Sequence, residues 1–236
     1  MEPWAGRLMP AKFTLLGGEP AINPHLPEFI HLARACWPKS ELRLVSNGLL
    51  LHRHPELPAA LAKAGNTVLE VSLHHESEAY GRRMEPVLQL LGRWQREHRI
   101  EVRLLRSFEN WTRRYKGFGA TMEPFEDERP RTSWQNCAAR TCPQIHDAAI
   151  WKCAPLAYLP MQNARYHLSE KWTPYLTYEP LQPDCSNDSL RAFFAREEES
   201  YCGMCPARPE RFGLYLPYPA RESAGQEGGI SGDNST

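Results

Sequence analysis

The sequence predicts an α/β fold with a parallel sheet in the first half of the chain and a small cysteine-rich subdomain in the second half. Short apolar runs alternate with helical segments up to about residue 108, a rhythm typical of parallel βαβ units with right-handed crossovers. Polar or glycine-containing turns follow three of the apolar runs. Six of the seven cysteines lie between residues 137 and 205, where helical periodicity fades.

Four strands are predicted in the first half, at residues 13–16, 42–45, 67–73 and 100–105. The first predicted helix has Asn23 as its N-cap and Pro24 in its first turn, and it ends before Pro38. A second, short helix is predicted at about residues 56–64. The third is marked by an apolar stripe with helical spacing: Met84, Val87, Leu88 and Leu91.

The overall composition limits the kinds of partner to be expected and predicts the cellular compartment of the protein. The 236 residues contain 28 Lys plus Arg and 28 Asp plus Glu, a balance that offers no electrostatic support for a nucleic-acid or anionic membrane partner. No apolar stretch reaches the roughly 18 residues of a membrane span. A cytoplasmic location is therefore predicted, and in that reducing compartment clustered cysteines indicate metal ligands more often than disulfides.

The cysteine spacing indicates a metal site. Cys202 and Cys205 form a Cys-x2-Cys pair, with Gly203 easing the turn between them. Cys137 and Cys153 lie on either side of a predicted turn at residues 146–148 that leads into a strand, and Cys142 is a possible substitute for Cys137 or an extra ligand. The isolated Cys185 and Cys36 are not assigned as ligands. Spacing alone does not decide whether the bound metal is zinc or an iron–sulfur cluster.

A further helix is predicted in the cysteine-rich half, at about residues 189–199.

A ligand turn is predicted at the end of the first strand. The adjacent glycines Gly17 and Gly18 allow unusual backbone angles and a close approach of a ligand, and Glu19 supplies a carboxylate that can accept hydrogen bonds from an ammonium group. Pro20 stiffens the exit. Ligands of parallel sheets bind at the carboxyl ends of the strands, where this turn and the later Ser46-Asn47-Gly48 turn both lie.

These motifs in this order resemble the radical S-adenosylmethionine (radical SAM) superfamily, over about residues 13–108. The resemblance implies a partial (β/α) barrel that lacks its first strand, with SAM bound across the strand ends. It also implies that the amino group of SAM binds at the Gly-Gly-Glu-Pro turn. The SAM-binding residues implied by the resemblance are Gly17, Gly18, Glu19, Pro20, Ser46, Asn47 and Ser72.

One departure from that family is large. Its Cys-x3-Cys-x2-Cys signature, which binds the SAM-activating [4Fe–4S] cluster, is absent, because only twelve residues precede Phe13 and none of them is cysteine. We expect a chain truncated at its N-terminus; a degenerate relative without redox chemistry is the alternative. By resemblance the full-length protein would cleave SAM reductively and abstract a hydrogen atom from its substrate. These 236 residues alone are predicted not to cleave SAM.

The cysteine region resembles the SPASM/Twitch extension of radical SAM enzymes, which binds an auxiliary [4Fe–4S] cluster. The implied ligands are Cys137, Cys142, Cys153, Cys202 and Cys205, with Ala148 in the position of the family's hairpin glycine. The implied partners are a peptide, sugar or other small-molecule substrate and an electron donor such as flavodoxin or ferredoxin.

The predicted organisation is a partial barrel at residues 1–110, the cysteine-rich region at 111–219 and a disordered tail at 220–236. A non-catalytic module that binds zinc or an iron–sulfur cluster remains the alternative function. An ordinary nucleotide-binding α/β enzyme is disfavoured, because the chain has no Gly-x-Gly-x-x-Gly or P-loop pattern.

Overall fold

The structure, a computed structural model, describes residues 1–212. The strands are β1 (Lys12–Leu15), β2 (Glu41–Ser46), β3 (Thr67–Leu73), β4 (Glu101–Arg106), β5 (Gln144–His146) and β6 (Ala149–Trp151). The helices are α1 (Leu26–Cys36), α2 (Leu57–Ala64), α3 (Glu78–His98), α4 (Pro130–Gln135), α5 (Ala154–Tyr166), α6 (Thr173–Leu176) and α7 (Asn187–Ala195). The predicted tail at 220–236 and the end of the predicted cysteine-rich region, 213–219, lie outside the described residues.

The first four strands form one parallel sheet in the order β1-β2-β3-β4. The predicted α/β fold with a parallel sheet is confirmed. Helices α1, α2 and α3 connect successive strands, and their apolar stripes pack with Leu44, Leu69 and Val71 of the sheet in one hydrophobic core. All four strands run parallel to one another, so their carboxyl ends lie along the same edge of the sheet.

Two predicted helix boundaries differ from the structure. Helix α1 begins at Leu26 rather than after Asn23, with Pro27 instead of Pro24 in its first turn. The Asn23 side chain accepts a hydrogen bond from the His25 backbone amide at 2.9 Å, because Asn readily stabilises a local turn that competes with helix entry. The helix predicted at 189–199 is α7, which begins after the N-cap Ser186 and ends at Ala195.

Gly48, in the turn after β2, is required by both its conformation and its packing. Its φ is +82°, in the left-handed region that favours glycine. A Cβ atom at this position would lie 2.7 Å from a methyl carbon of Val87 on α3. The turn after β2 therefore packs closely against α3.

A charged network lies on the sheet face opposite Leu69 and Val71. Glu70, which is 7% exposed, accepts a hydrogen bond from Arg43 at 2.9 Å and lies 3.9 Å from Arg103. This pairing offsets the cost of burying the Glu70 carboxylate in the central part of the sheet.

The second half contains an antiparallel hairpin of β5 and β6, joined at Asp147 and Ala148. The predicted turn at 146–148 is confirmed. Helix α5 begins at Ala154, three residues after the end of β6, and was missed in the sequence because Pro160 within it interrupts the helical pattern.

Three hydrophobic clusters hold the described chain together. One is the core of the sheet and its helices, and one is built from the cysteine-rich region. The third joins Trp4, Trp37 and Phe13 of the first half to Ile150 and Phe193 of the second. The hairpin therefore packs beside the start of β1. Among the described residues, no helix is long and apolar enough to cross a membrane.

Candidate metal centre

Four cysteines from three separate chain segments line one small cavity in the second half of the protein. They are Cys137, Cys153, Cys202 and Cys205. Cys202 and Cys205 are three positions apart in the sequence. Cys137 and Cys153 are more distant, and they reach the cavity only through the folding of α4, the hairpin and α5.

Cys137 lies two residues after α4, and its sulfur accepts two hydrogen bonds. The donors are the backbone amide of Ala139 at 3.3 Å and the Nη1 of Arg114 at 3.6 Å. These two contacts, one from the backbone and one from a distant side chain, fix the position of the Cys137 sulfur.

Cys153 links the hairpin to α5. It lies two residues after the end of β6 and is the N-cap residue of α5. Burial raises the pKa of the Cys153 thiol to about 12, and the nearby charges of Cys137 and Cys202 act in the same direction. The backbone amide of Leu156, in the first turn of α5, and the guanidinium of Arg114 lower this pKa by smaller amounts.

Cys202 and Cys205 are held by a single 3-10 turn, Ser200–Met204. The backbone amide of Cys205 donates to the carbonyl of Cys202 at 3.2 Å, which places both side chains beside the cavity. Burial raises the pKa of Cys205 to about 12 and also raises that of Cys202. The predicted Cys-x2-Cys turn therefore exists, and its thiols hold their protons at neutral pH unless a metal displaces them.

The cavity walls contain polar groups that sequence reasoning missed. The Trp134 Nε1 and the Glu199 Oε1 are buried without a hydrogen-bond partner. Glu199 is nevertheless 3.7 Å from the Lys152 Nζ and 3.6 Å from Arg196. A buried indole N–H without an acceptor calls for an explanation such as a bound ion or cluster. No local sequence pattern marks these residues, because they meet the cysteines only through long-range packing.

The remaining cysteines lie elsewhere. Cys142 is exposed and lines a different cavity, beside Phe13 and Thr14 of β1, so the structure does not bring it together with the other four predicted ligands. The Cys185 sulfur accepts a hydrogen bond from Arg7 at 3.6 Å, and Cys36 is buried in the cluster around Trp37. Within residues 1–212, no group of three or more His, Cys, Asp or Glu side chains is arranged to hold a single metal ion.

The residues predicted to bind SAM lie at the carboxyl edge of the sheet. The Glu19 carboxylate accepts hydrogen bonds from the Ser46 hydroxyl at 2.7 Å, the Asn47 backbone amide at 2.7 Å and the Ala21 backbone amide at 3.0 Å. Pro20 begins the short 3-10 turn that Glu19 caps. The structure therefore joins the two predicted ligand turns through one carboxylate.

The unusual backbone angles predicted for Gly17 and Gly18 are not present in the structure. Neither has a positive φ, and a Cβ atom at either position would have no heavy atom within 4 Å. The turn itself therefore does not need glycine. Both residues are exposed, and the open space above them is available to a ligand.

Ser72 is buried on β3, separate from the Glu19 cluster. Ser46 pairs in register with Val71, and Ser72 pairs with Leu105. Because side chains alternate between the two faces of a sheet, Ser46 and Ser72 point to opposite faces.

His74, just beyond the end of β3, lies near Glu19. Burial lowers the pKa of its imidazole, and the charge of Glu19 acts in the opposite direction. The His74 ring also contacts Trp111, with the ring centroids 5.2 Å apart. An acidic group, an imidazole and an indole therefore share this edge of the sheet.

The chain matches no protein-family model, and it matches no curated protein.

Proposed function

We propose that this chain is part of a radical SAM-type enzyme, in which the sheet edge around Glu19 binds SAM and the cysteine cavity binds an auxiliary [4Fe–4S] cluster. One observation carries the proposal: Cys137, Cys153, Cys202 and Cys205 come from three segments and line the same cavity. Four thiols are the usual ligand number for such a cluster.

The arrangement of the first half supports a partial (β/α) barrel. The strands follow chain order, and α1, α2 and α3 pack into one core with one face of the sheet. In a doubly wound fold the strand order reverses and helices cover both faces, whereas a barrel repeats one βα unit in order. We therefore favour the barrel, in which ligands bind at the carboxyl ends of the strands.

The chemistry around Glu19 suits the amino-acid part of SAM. Three hydrogen bonds to the carboxylate hold it in place before any ligand arrives. The carboxylate can accept more than three hydrogen bonds, so it can also receive an ammonium group. His74 and Trp111 add an aromatic surface next to this charge.

The cysteine cavity suits a cluster better than a single zinc ion. In a cluster each thiolate binds a different iron, so the four sulfurs surround a volume, whereas zinc draws four sulfurs to about 2.3 Å from one point. The positive charge of Arg114 and the N–H groups near the sulfurs fit a group with a net negative charge. Such a cluster would supply electron transfer or a binding point for substrate.

The deciding experiment is anaerobic reconstitution of the full chain with ferrous iron and sulfide, followed by metal and sulfide analysis and visible absorption. We expect a brown protein that absorbs near 400 nm, with about four irons and four sulfides per chain if all four thiols are ligands. A colourless protein that retains one zinc per chain would instead support a non-catalytic zinc module.

The proposed partners follow from this function. They are a peptide, sugar or other small-molecule substrate, and an electron donor such as flavodoxin or ferredoxin. The equal numbers of acidic and basic residues give no support for a nucleic-acid partner, and we propose a cytoplasmic location.

A further inference from the structure

We propose that Arg114 is a positioning residue that holds the Cys137 thiolate and sets the reduction potential of the group bound in the cysteine cavity. This inference rests on the proposed function, because it presumes a redox-active cluster. It adds a residue that is not a metal ligand and belongs to no sequence motif.

The geometry places the Arg114 guanidinium against the cysteines. Its Nη1 lies 3.6 Å from the Cys137 sulfur, and the Ala139 backbone amide approaches the same sulfur at 3.3 Å. Cys137 lines the cavity together with Cys153, Cys202 and Cys205, so the guanidinium charge of Arg114 lies beside that cavity.

The other cationic side chains around the cavity already have partners. The Lys152 Nζ donates to the Arg196 carbonyl at 2.8 Å and lies 3.7 Å from the Glu199 carboxylate. The Arg140 Nη1 donates to the Gln135 carbonyl at 2.6 Å. Among residues 1–212 neither Arg114 nor Arg140 forms a salt bridge, but of the two it is Arg114 that hydrogen bonds to a cavity cysteine, with its Nη1 3.6 Å from the Cys137 sulfur.

A charge in this position changes the electron affinity of the cluster. Reduction transfers one electron from a donor such as dithionite to the cluster, and no bond to a cysteine breaks. The added negative charge is stabilised by a nearby cation and by N–H groups that hydrogen bond to the sulfurs. Removing the Arg114 charge should therefore make the cluster harder to reduce.

The test compares three variants of the full chain after anaerobic reconstitution with iron and sulfide. Arg114→Gln removes the positive charge. Arg114→Lys keeps the charge but loses the planar guanidinium group and its several N–H donors. Arg113→Gln is the matched control, because the Arg113 guanidinium lies over the Phe212 ring, 5.4 Å from its centroid. The midpoint potential is measured by dithionite titration followed by electron paramagnetic resonance.

We expect Arg114→Gln to lower the equilibrium constant for reduction about tenfold, which is about 59 mV for one electron. Arg114→Lys should show a smaller shift in the same direction, and Arg113→Gln should match the wild type. Equal potentials in Arg114→Gln and the wild type would overturn this inference while leaving the proposed cluster intact. Equal shifts of the midpoint potential in Arg113→Gln and Arg114→Gln would also overturn it, because the loss of any nearby positive charge would then explain the shift.

Two further outcomes separate this inference from the proposed function. If the wild type takes up no cluster, the proposed function and this inference both fail. If Arg114→Gln does not fold, as judged by circular dichroism, Arg114→Lys decides: a lowered potential supports the role of Arg114, and a wild-type potential overturns it. A folded Arg114→Gln that takes up no cluster, with uptake restored in Arg114→Lys, also supports the role in positioning Cys137.

Discussion

The Glu19 carboxylate accepts a hydrogen bond from the Ser46 hydroxyl at 2.7 Å, although the two residues lie 27 positions apart in the sequence. The Asn47 backbone amide donates to the other carboxylate oxygen at the same distance. The turn after β1 and the turn after β2 are therefore one unit, and the proposed SAM site is built on it.

The first prediction concerns that carboxylate. In Glu19→Gln the amide nitrogen would face at least one of the present donors, so we expect a loss of about 1–3 kcal/mol in the free energy of unfolding. The lost charge should also weaken SAM binding at least about tenfold, or about 1.4 kcal/mol. Isothermal titration calorimetry with SAM measures the second effect. Glu28→Gln, on the exposed start of α1, is the control, and equal SAM affinity in the two variants would count against the site.

A second prediction separates the roles of two glycines. Gly18→Ala should change the free energy of unfolding by less than about 0.5 kcal/mol, because the added methyl group meets open space at an ordinary φ. It should nevertheless weaken SAM binding if the ligand passes close to the turn. Gly48→Ala should cost about 2–4 kcal/mol, since it combines backbone strain with a contact 2.7 Å from Val87. Urea unfolding and SAM titration of both variants check this; a large stability loss in Gly18→Ala would show that the turn itself needs glycine.

The third prediction compares Cys137 and Cys142, which are five positions apart in the sequence. Cys137→Ala should lose most of the iron and the visible absorption after reconstitution, because its sulfur lies in the cavity. Cys142→Ala should retain both, because Cys142 is exposed and lines another cavity. The iron content of the two variants, purified side by side, decides the matter. The reverse pattern would assign the ligand role to Cys142.

A fourth prediction follows from the burial of Cys153 and Cys205. Both thiols have a pKa raised from 9.0 to about 12, so the folded metal-free protein binds these protons more tightly than the unfolded chain does. The resulting stability is fully present below about pH 9 and is lost as the pH rises towards 12. The loss is at most about 1.4 kcal/mol per pH unit for each thiol.

Urea unfolding between pH 8 and 11, with a chelator and a reductant present, measures this slope. Cys153→Ala should show a smaller slope than the wild type, and Cys142→Ala should show the full one. A metal-free protein whose stability does not fall across this range would contradict the prediction.

The fifth prediction concerns the hairpin turn. Ala148 has a φ of +62°, which favours glycine over alanine, so Ala148→Gly should stabilise the protein by about 0.5–1 kcal/mol. The contact from the Trp4 indole to the Ala148 carbonyl, at 2.6 Å, involves the backbone and is retained. Ala149→Gly, in the buried first position of β6, should destabilise by about 1 kcal/mol. Thermal unfolding of the two variants tests the contrast, and a lower melting temperature for Ala148→Gly would refute it.

Local patterns in the sequence were enough to predict much of the fold. Apolar runs a few residues long located all four strands of the parallel sheet to within one residue at each end, because each strand carries apolar side chains on the face that packs against the helices. The turn at residues 146–148 was predicted from local residues. Helix α5 was not, since Pro160 interrupts the helical pattern of a segment that tertiary packing stabilises as a helix.

The sequence by itself determined the α/β class, the order of the elements and the close pairing of Cys202 with Cys205, since each depends on neighbours a few positions apart. Only the tertiary structure decided that Cys137, and not Cys142, shares a cavity with Cys153 and the Cys202–Cys205 pair. It also decided that Arg114 faces Cys137 and that Glu19 joins the turn after β1 to the turn after β2. These relationships depend on how separate elements pack. Cys137 and Cys142 are only five positions apart in the sequence, yet they line different cavities.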